Sequence, residues 1–277
     1  MTNTKSKMKK INTKKILTLV LWIIGLSGLI ATLAFATNNE KKVVSEHLSV
    51  AISNSNDNAF IDEEDVKLFF KERRDSILQS EIKNIHVTQL EKALNAHPAI
   101  ENAEVSVDVN GDVNVNVKQR TPVVRIINLD GESYYIDSQS KLMPLNENYT
   151  ARVIIATGNI FEPYAQRYSI SVNDIAKNDL FSKVSVLDDI YAVTQYINKD
   201  SVLTSLIHQI NITKDKEIEL FPSIGNHKII FGDAQNIEEK FNKLKLFYIE
   251  GLNKTDGWNK YSIVNIKYKN QVVCTKK

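Results

Sequence analysis

Between Val105 and Val117 the chain sets a valine at every second position on either side of Asn110-Gly111. Val105, Val107 and Val109 lead in, and Val113, Val115 and Val117 lead out. β-Branched residues at period two make strands with one buried face and exclude an amphipathic helix, whose apolar positions recur every three or four residues. Parity then constrains the turn. A two-residue loop of Asn110 and Gly111 would put Val109 opposite Asp112 and Val107 opposite Asn114, so every valine would face a polar partner. A three-residue loop, Asn110-Gly111-Asp112, pairs Val109 with Val113, Val107 with Val115 and Val105 with Val117. An odd loop or a bulge is therefore predicted, with Gly111 supplying the backbone freedom. The expected cover for the valine face is the helix before it. Thr88 and Glu91 form a capping box, Leu90, Ala93 and Leu94 form its apolar stripe, and His97-Pro98 closes it.

A second stretch is as restrictive. Ile16 to Ala36 contains no charge, and at 1.5 Å per residue it spans about 30 Å, the thickness of a bilayer core. Lys5, Lys7, Lys9, Lys10, Lys14 and Lys15 precede it with no acid among residues 1–15. The excess of lysine on that side predicts a cytoplasmic N-terminus and an external remainder. Ala34-Phe35-Ala36 resembles a cleavage site, but the apolar run is longer than that of a signal peptide, so an uncleaved anchor is expected.

The lysine tail carries +6 of a net charge of +2, which leaves −4 on residues 16–277. A mildly acidic body excludes a nucleic-acid surface built on a basic patch. Cys274 is the only cysteine, so no intrachain disulfide forms. The five histidines are scattered, and no zinc-protease, nucleophile-elbow, phosphate-loop or dinucleotide motif is present. The run Asp62-Glu63-Glu64-Asp65 lacks the spacing and glycine of a calcium loop and reads as a helix cap and first turn. No enzyme activity, metal or cofactor is expected.

Outside the membrane the expected order is a strand ending near Ile52, a polar loop at Asn54–Asn58, and a helix from Asp62 burying Val66, Phe69, Phe70 and Ile77. The second helix and the valine hairpin complete this unit near Arg120. Past Pro122 strands dominate. They are expected at Val123–Ile127, Tyr134–Asp137, His208–Thr213, Glu217–Phe221 and Lys228–Phe231, with a turn at Asp130-Gly131. Leu187, Ile190, Tyr191, Thr194 and Ile197 recur at helical spacing. A last helix is expected from Asn236, boxed by Glu239 and capped by Gly251.

The strand-helix-helix-strand-strand order, with its HPAIENAEV and VNVNVKQRTPVVRI stretches, resembles the POTRA domain of the FtsQ/DivIB cell-division family. The flanking features are similar too: a short cytoplasmic tail, one membrane helix and a following β-rich domain. The resemblance implies an α+β chain divided into residues 1–15 (tail), 16–36 (transmembrane helix), 43–120 (POTRA) and 121–277 (β domain). Asn265, Ile266, Lys267 and Tyr268 stand where the family has a "vDlRy" strand. Ser140 stands where glycine is common, which leaves that turn type open.

The resemblance further implies a single-pass inner-membrane scaffold at the division septum, with its bulk in the periplasm. Its partners would be FtsB-like and FtsL-like membrane proteins. A sheet's last strand leaves backbone groups unpaired, and a partner segment can add to it. Carried over to this chain, the contact residues are Tyr268, Asn270, Val272 and Val273, with Lys267 and Tyr248 secondary. The alternative is an anchored or secreted POTRA-containing assembly or transport factor outside division.

Overall fold

The computed structural model describes residues 13–40, 44–45, 47–53, 60–72, 77, 80–147, 149–164, 171–177 and 185–277. The lysines before residue 13 and the polar loop at Asn54–Asn58 lie outside them. Helix α1 (Thr13–Glu40) overruns the uncharged segment at both ends. Its stretch Leu17–Phe35 is long and apolar enough to cross a membrane, and its side chains are exposed throughout. A helix suits that setting because it satisfies every backbone group internally.

The chain forms two compact units: Met1–Ala51, Val66–Glu91 and Glu104–Asn116 in one, Ile52–Asp65, Lys92–Ala103 and Val117–Lys277 in the other. A three-stranded sheet is built from β1 (Leu48–Ser53), β2 (Ile100–Val107) and β3 (Val113–Gln119) in the order β1-β3-β2. Helices α2 (Glu63–Glu72) and α3 (Val87–Asn95) fall between β1 and β2 in sequence, as expected. Asp62 and Asp65 cap α2 reciprocally, each carboxylate accepting the other's backbone N–H, at 2.8 and 3.0 Å. Val66 and Phe70 are buried on α2. Ile77 is also buried but lies beyond the end of that helix.

The hairpin has the odd loop that parity demands, one position earlier than expected. The Asp108 N–H donates to the Asp112 carbonyl at 3.0 Å and the Gly111 N–H to the Asp108 carbonyl at 3.2 Å. The loop is therefore Val109-Asn110-Gly111, and Val107 falls opposite Val113 and Val105 opposite Val115. Val109, expected on the buried face, sits in the loop and is 87 % exposed. The cause is the Asp108 side chain, whose Oδ1 accepts the N–H groups of Asn110 and Asp112 at 2.9 and 3.0 Å. That wrap ends the strand at Val107, and Gly111 takes the left-handed position at φ 99°.

The expected capping box on α3 is also corrected. The helix begins at Val87, before Thr88, and Glu91 is used elsewhere. Its Oε1 accepts the Val105 N–H at 3.0 Å. One turn on, Asn95 accepts the Ala103 N–H at 2.9 Å and donates to the Ala103 carbonyl at 3.1 Å. Residues four apart on one helix face thus serve backbone groups of the edge strand β2, as a neighbouring strand would.

The large sheet has nine strands. They are β4 (Pro122–Ile127), β5 (Ser133–Asp137), β6 (Leu142–Met143), β7 (Ile154–Gly158), β8 (Ile207–Ile212), β9 (Ile218–Pro222), β10 (Lys228–Gly232), β11 (Tyr261–Asn265) and β12 (Val273–Lys276). Their order is β12-β11-β10-β9-β8-β7-β4-β5-β6. The β4–β7, β7–β8 and β10–β11 pairs are parallel and the others antiparallel. Among the described residues the α-helices of this domain are α4 (Val172–Ala176), α5 (Leu187–Asn198), α6 (Ser201–Leu206) and α7 (Ile237–Leu246). Leu187, Ile190 and Ile197 of α5, Leu203 of α6 and Phe241 and Leu244 of α7 share one core with Ile210, Leu220, Ile229 and Val264 of the sheet. The opposite face carries a row in register, Thr157, Asn211, Glu219, Ile230, Asn265 and Val273. Asn211 donates to Glu219 there at 3.1 Å, and Lys228 pairs with Glu219 at 2.6 Å. Near the β6 end, Tyr135 and Met143 of that face bury Phe60, Ala99 and Ala151.

Two expectations at the last helix are corrected. Asn236 lies in the left-handed region and its side chain makes no cap. Gly251 does not end the helix either. The chain runs on from α7 through a π-helical stretch, Phe247–Asn253, with Gly251 inside it.

The hairpin turn of Asp108 recurs three times in the large domain. Asn128 and Glu132, Asp137 and Lys141, and Thr213 and Glu217 close three-residue loops with the same pair of backbone bonds. Each first residue's side-chain oxygen accepts the N–H of the residue four on, at 2.7 to 3.0 Å. The left-handed position is Gly131 in one, but Ser140 (φ 65°) and Lys216 (φ 61°) in the others. Ser140 settles the open turn type, and its buried hydroxyl has no partner among the described residues.

Ser140→Gly should therefore raise the unfolding free energy by about 1 kcal/mol, because it relieves both the left-handed Cβ and the unpaired hydroxyl. The double change Glu91→Ala/Asn95→Ala should lower it by about 2 kcal/mol by unpairing the β2 edge. Urea unfolding of each variant beside the wild type measures both.

Candidate binding edge of the large sheet

Strand β12 is the terminal strand at one end of the large sheet; the strand at the other end, β6, has only two residues. β12 pairs antiparallel with β11, Val264 opposite Cys274 and Asn265 opposite Val273. Among the described residues no strand lies on its other side. Alternation divides its side chains between the faces: Val272 and Cys274 pack on the helix-side core, while Val273, 45 % exposed, ends the polar row. Burial pushes the Cys274 thiol up, away from the thiolate that reacts.

The connection from β11 to β12 is held from two directions. The Lys243 ammonium of α7 donates to the Ile266 carbonyl at 3.0 Å and also to the Tyr268 carbonyl. From the β8–β9 turn, Glu217 pairs with Lys267 at 3.0 Å and raises its pKa. The Lys267 ammonium also lies 5.4 Å from the centre of the Tyr268 ring. Lys267 passes so close to Gly232 that a Cβ there would come within 2.9 Å of the lysine Cβ. Tyr268 is thus anchored through its backbone while its ring is 44 % exposed. Asn270 takes the left-handed turn position at φ 59°, where a short polar side chain substitutes for glycine.

Of the six residues that sequence points to, five lie on this connection or on β12. Tyr248 does not. It sits on the π-helical stretch, is 6 % exposed, and shares a hydrogen bond of 2.7 Å between its hydroxyl and His227 Nε2. Its ring packs on Trp258 at 5.0 Å. Burial pushes its pKa up, so it is a core tyrosine with a satisfied hydroxyl. Sequence reasoning missed Lys243 and Glu217, which meet the connection only through the fold; nothing local marks either among the other charges of their segments. Among the described residues, no group of three or more His, Cys, Asp or Glu side chains is placed to hold a metal ion.

Comparison with known families gives two matches. Residues 121–275 match the family described as FtsQ/DivIB, C-terminal related. Residues 43–118 match that described as a POTRA-like domain. No curated protein matches the chain.

The buried histidines give a pH dependence with a definite sign. Burial holds His227 below its ordinary 6.5, with Lys277 adding to the effect; burial also holds His97 below 6.5, against Asp65. The unfolded chain therefore binds protons first as pH falls through 6.5, and stability drops from there down to the folded values. Above that range the histidine contribution is flat. Asp188 and Asp189, raised by burial, act oppositely at lower pH. Denaturant midpoints measured between about pH 7.5 and 5 should fall for the wild type and fall less for His227→Gln and His97→Gln.

Proposed function

Because this chain belongs to the FtsQ/DivIB, C-terminal related family, we propose that it is a non-enzymatic scaffold of bacterial cell division. It crosses the inner membrane once through α1, with its N-terminus cytoplasmic and its POTRA (43–120) and β (121–277) domains in the periplasm. At the septum it gathers FtsB-like and FtsL-like membrane proteins. The observation that carries this reading is the place of β12 as a terminal strand of the large sheet, beside the exposed Val273 and the anchored Tyr268. An extended partner segment adds there as a further strand. Main-chain hydrogen bonds supply affinity, and alternate side chains supply selectivity. Val273 and Tyr268 are the contact residues, Asn270 shapes the turn beside them, and Val272 and Lys267 hold the strand and its connection in place.

The lysine-rich tail ahead of an uncharged helix supports the orientation. A POTRA-like match directly after that helix supports an extracytoplasmic assembly role over catalysis.

Removing Tyr268–Lys277 should abolish co-purification of an FtsB-like partner while membrane insertion persists. Since Val272 and Cys274 also close the core, the sharper variants are Tyr268→Ala and Val273→Lys, both at exposed positions. Each should weaken partner binding roughly tenfold without shifting the unfolding midpoint. Unchanged binding in both would overturn the edge assignment. Cells depleted of the protein should form filaments without constricted septa, and normal division would overturn the role itself.

A further inference from the structure

A small cavity of about 180 Å³ lies between the C-terminal turn of α3, the start of β4 and the β5–β6 turn. Its polar lining includes Arg120, Lys141, His97 and Tyr164, and no carboxylate is among the described residues that line it. We propose that this cavity binds a single small oxyanion, a carboxylate or phosphate group, held chiefly by Arg120 and Lys141.

Arg120 carries the inference. Its side chain is 9 % exposed and meets Asp137 through one bond, Nη1 to Oδ2, at 2.7 Å. A guanidinium has five N–H donors in a planar fork matched to two oxygens. Among the described residues nothing accepts from Nε or Nη2 of Arg120, and neither nitrogen is sealed from the cavity. A buried cation with most of its donors unmet is costly unless an acceptor reaches it.

The second cation is brought in by the same carboxylate. Asp137 Oδ1 accepts the Lys141 N–H at 2.7 Å, which fixes the backbone from which the lysine side chain springs. The Lys141 ammonium has no ion-pair partner among the described residues. His97 Nδ1 accepts the Ala99 N–H at 3.3 Å, so the imidazole proton sits on Nε2, a donor. The acids nearby are committed: Asp137 to Arg120 and two turn N–H groups, Asp65 to the N–H that caps α2. The volume suits one oxyanion with a few waters, and is too small for a nucleotide or a peptide backbone.

The test is a side-chain NMR titration of the full chain in lipid nanodiscs, following the Arg120 Nε–H signal. The probes are inorganic phosphate and an end-capped peptide with one glutamate, against chloride at equal ionic strength. A saturable shift with either probe is expected, and chloride should give none. Phosphate alone would mark a free oxyanion as the ligand; the peptide alone would mark a partner's carboxylate. Lys141→Ala, at an exposed position, should weaken binding roughly tenfold. Arg120→Lys, which keeps the charge and loses the fork, should abolish binding, followed in that variant through the backbone amide signal of Lys141. If the Arg120 variant does not fold, Lys141→Ala decides. Absence of a saturable shift with both probes, or unchanged affinity in Lys141→Ala, would overturn the proposal. Partner binding at β12 is read separately, so the two assignments fail independently.

Discussion

The large sheet begins at a buried ion pair. Arg120, two residues before β4, meets Asp137 at the end of β5, and both side chains are nearly inaccessible. Neither charge could be left there alone, since a buried ion stripped of its partner costs about 3–5 kcal/mol. The pair therefore ties the entry of β4 to the exit of β5, where the Ser138 N–H also donates to the Thr121 carbonyl at 2.8 Å. The other oxygen of Asp137 builds the turn to β6. One carboxylate sets the first hairpin of the sheet; β6 adds beside β5, and the strands from β7 on stack outward from β4 to β12.

Turns in this protein are solved repeatedly by one device. A residue with a short side-chain oxygen closes the strand, and that oxygen collects the N–H four residues on. A left-handed residue completes the loop. The device tolerates Gly111, Gly131, Ser140 and Lys216 at the left-handed position, so its specificity lies in the oxygen-bearing residue at its start. This explains the hairpin register. The valine pattern alone allowed a loop one residue later, but Asp108 is the residue able to wrap its own turn.

The sheet edges are treated differently from one another. At β2 the backbone groups of Ala103 and Val105 are taken by Glu91 and Asn95 of α3, and at β6 the strand is only two residues long. Strand β12 has four residues and a partly exposed valine, and among the described residues no strand lies outside it. Two of the four sheet edges are thus closed by side-chain bonds or by shortness, and among the described residues β1 and β12 carry no strand on their outer sides.

Much of the order of elements could be read from the sequence, because it rests on local rules. Period-two valines make strands, a long uncharged run makes a helix apolar enough to cross a membrane, and acids at Asp62 and Asp65 cap a helix, wherever they occur. The candidate contacts Tyr268 and Val273 could be placed near the last strand by resemblance. Their exposure, and the burial of Tyr248, depend on which face each takes in the sheet. That is a matter of tertiary packing. The same holds for Glu91, which by local rules should cap its own helix and instead serves a strand. It holds too for Gly251, a stop signal overrun because Tyr248 and Leu252 gain burial on the sheet. The sequence by itself determined the kinds of elements and their succession, since these follow from backbone preference and hydrophobic period. Only the tertiary structure decided the hairpin register, the ion pair of Arg120 with Asp137, and which strands lie at the sheet edges. Each of these depends on groups far apart in the chain, and no local preference encodes their meeting.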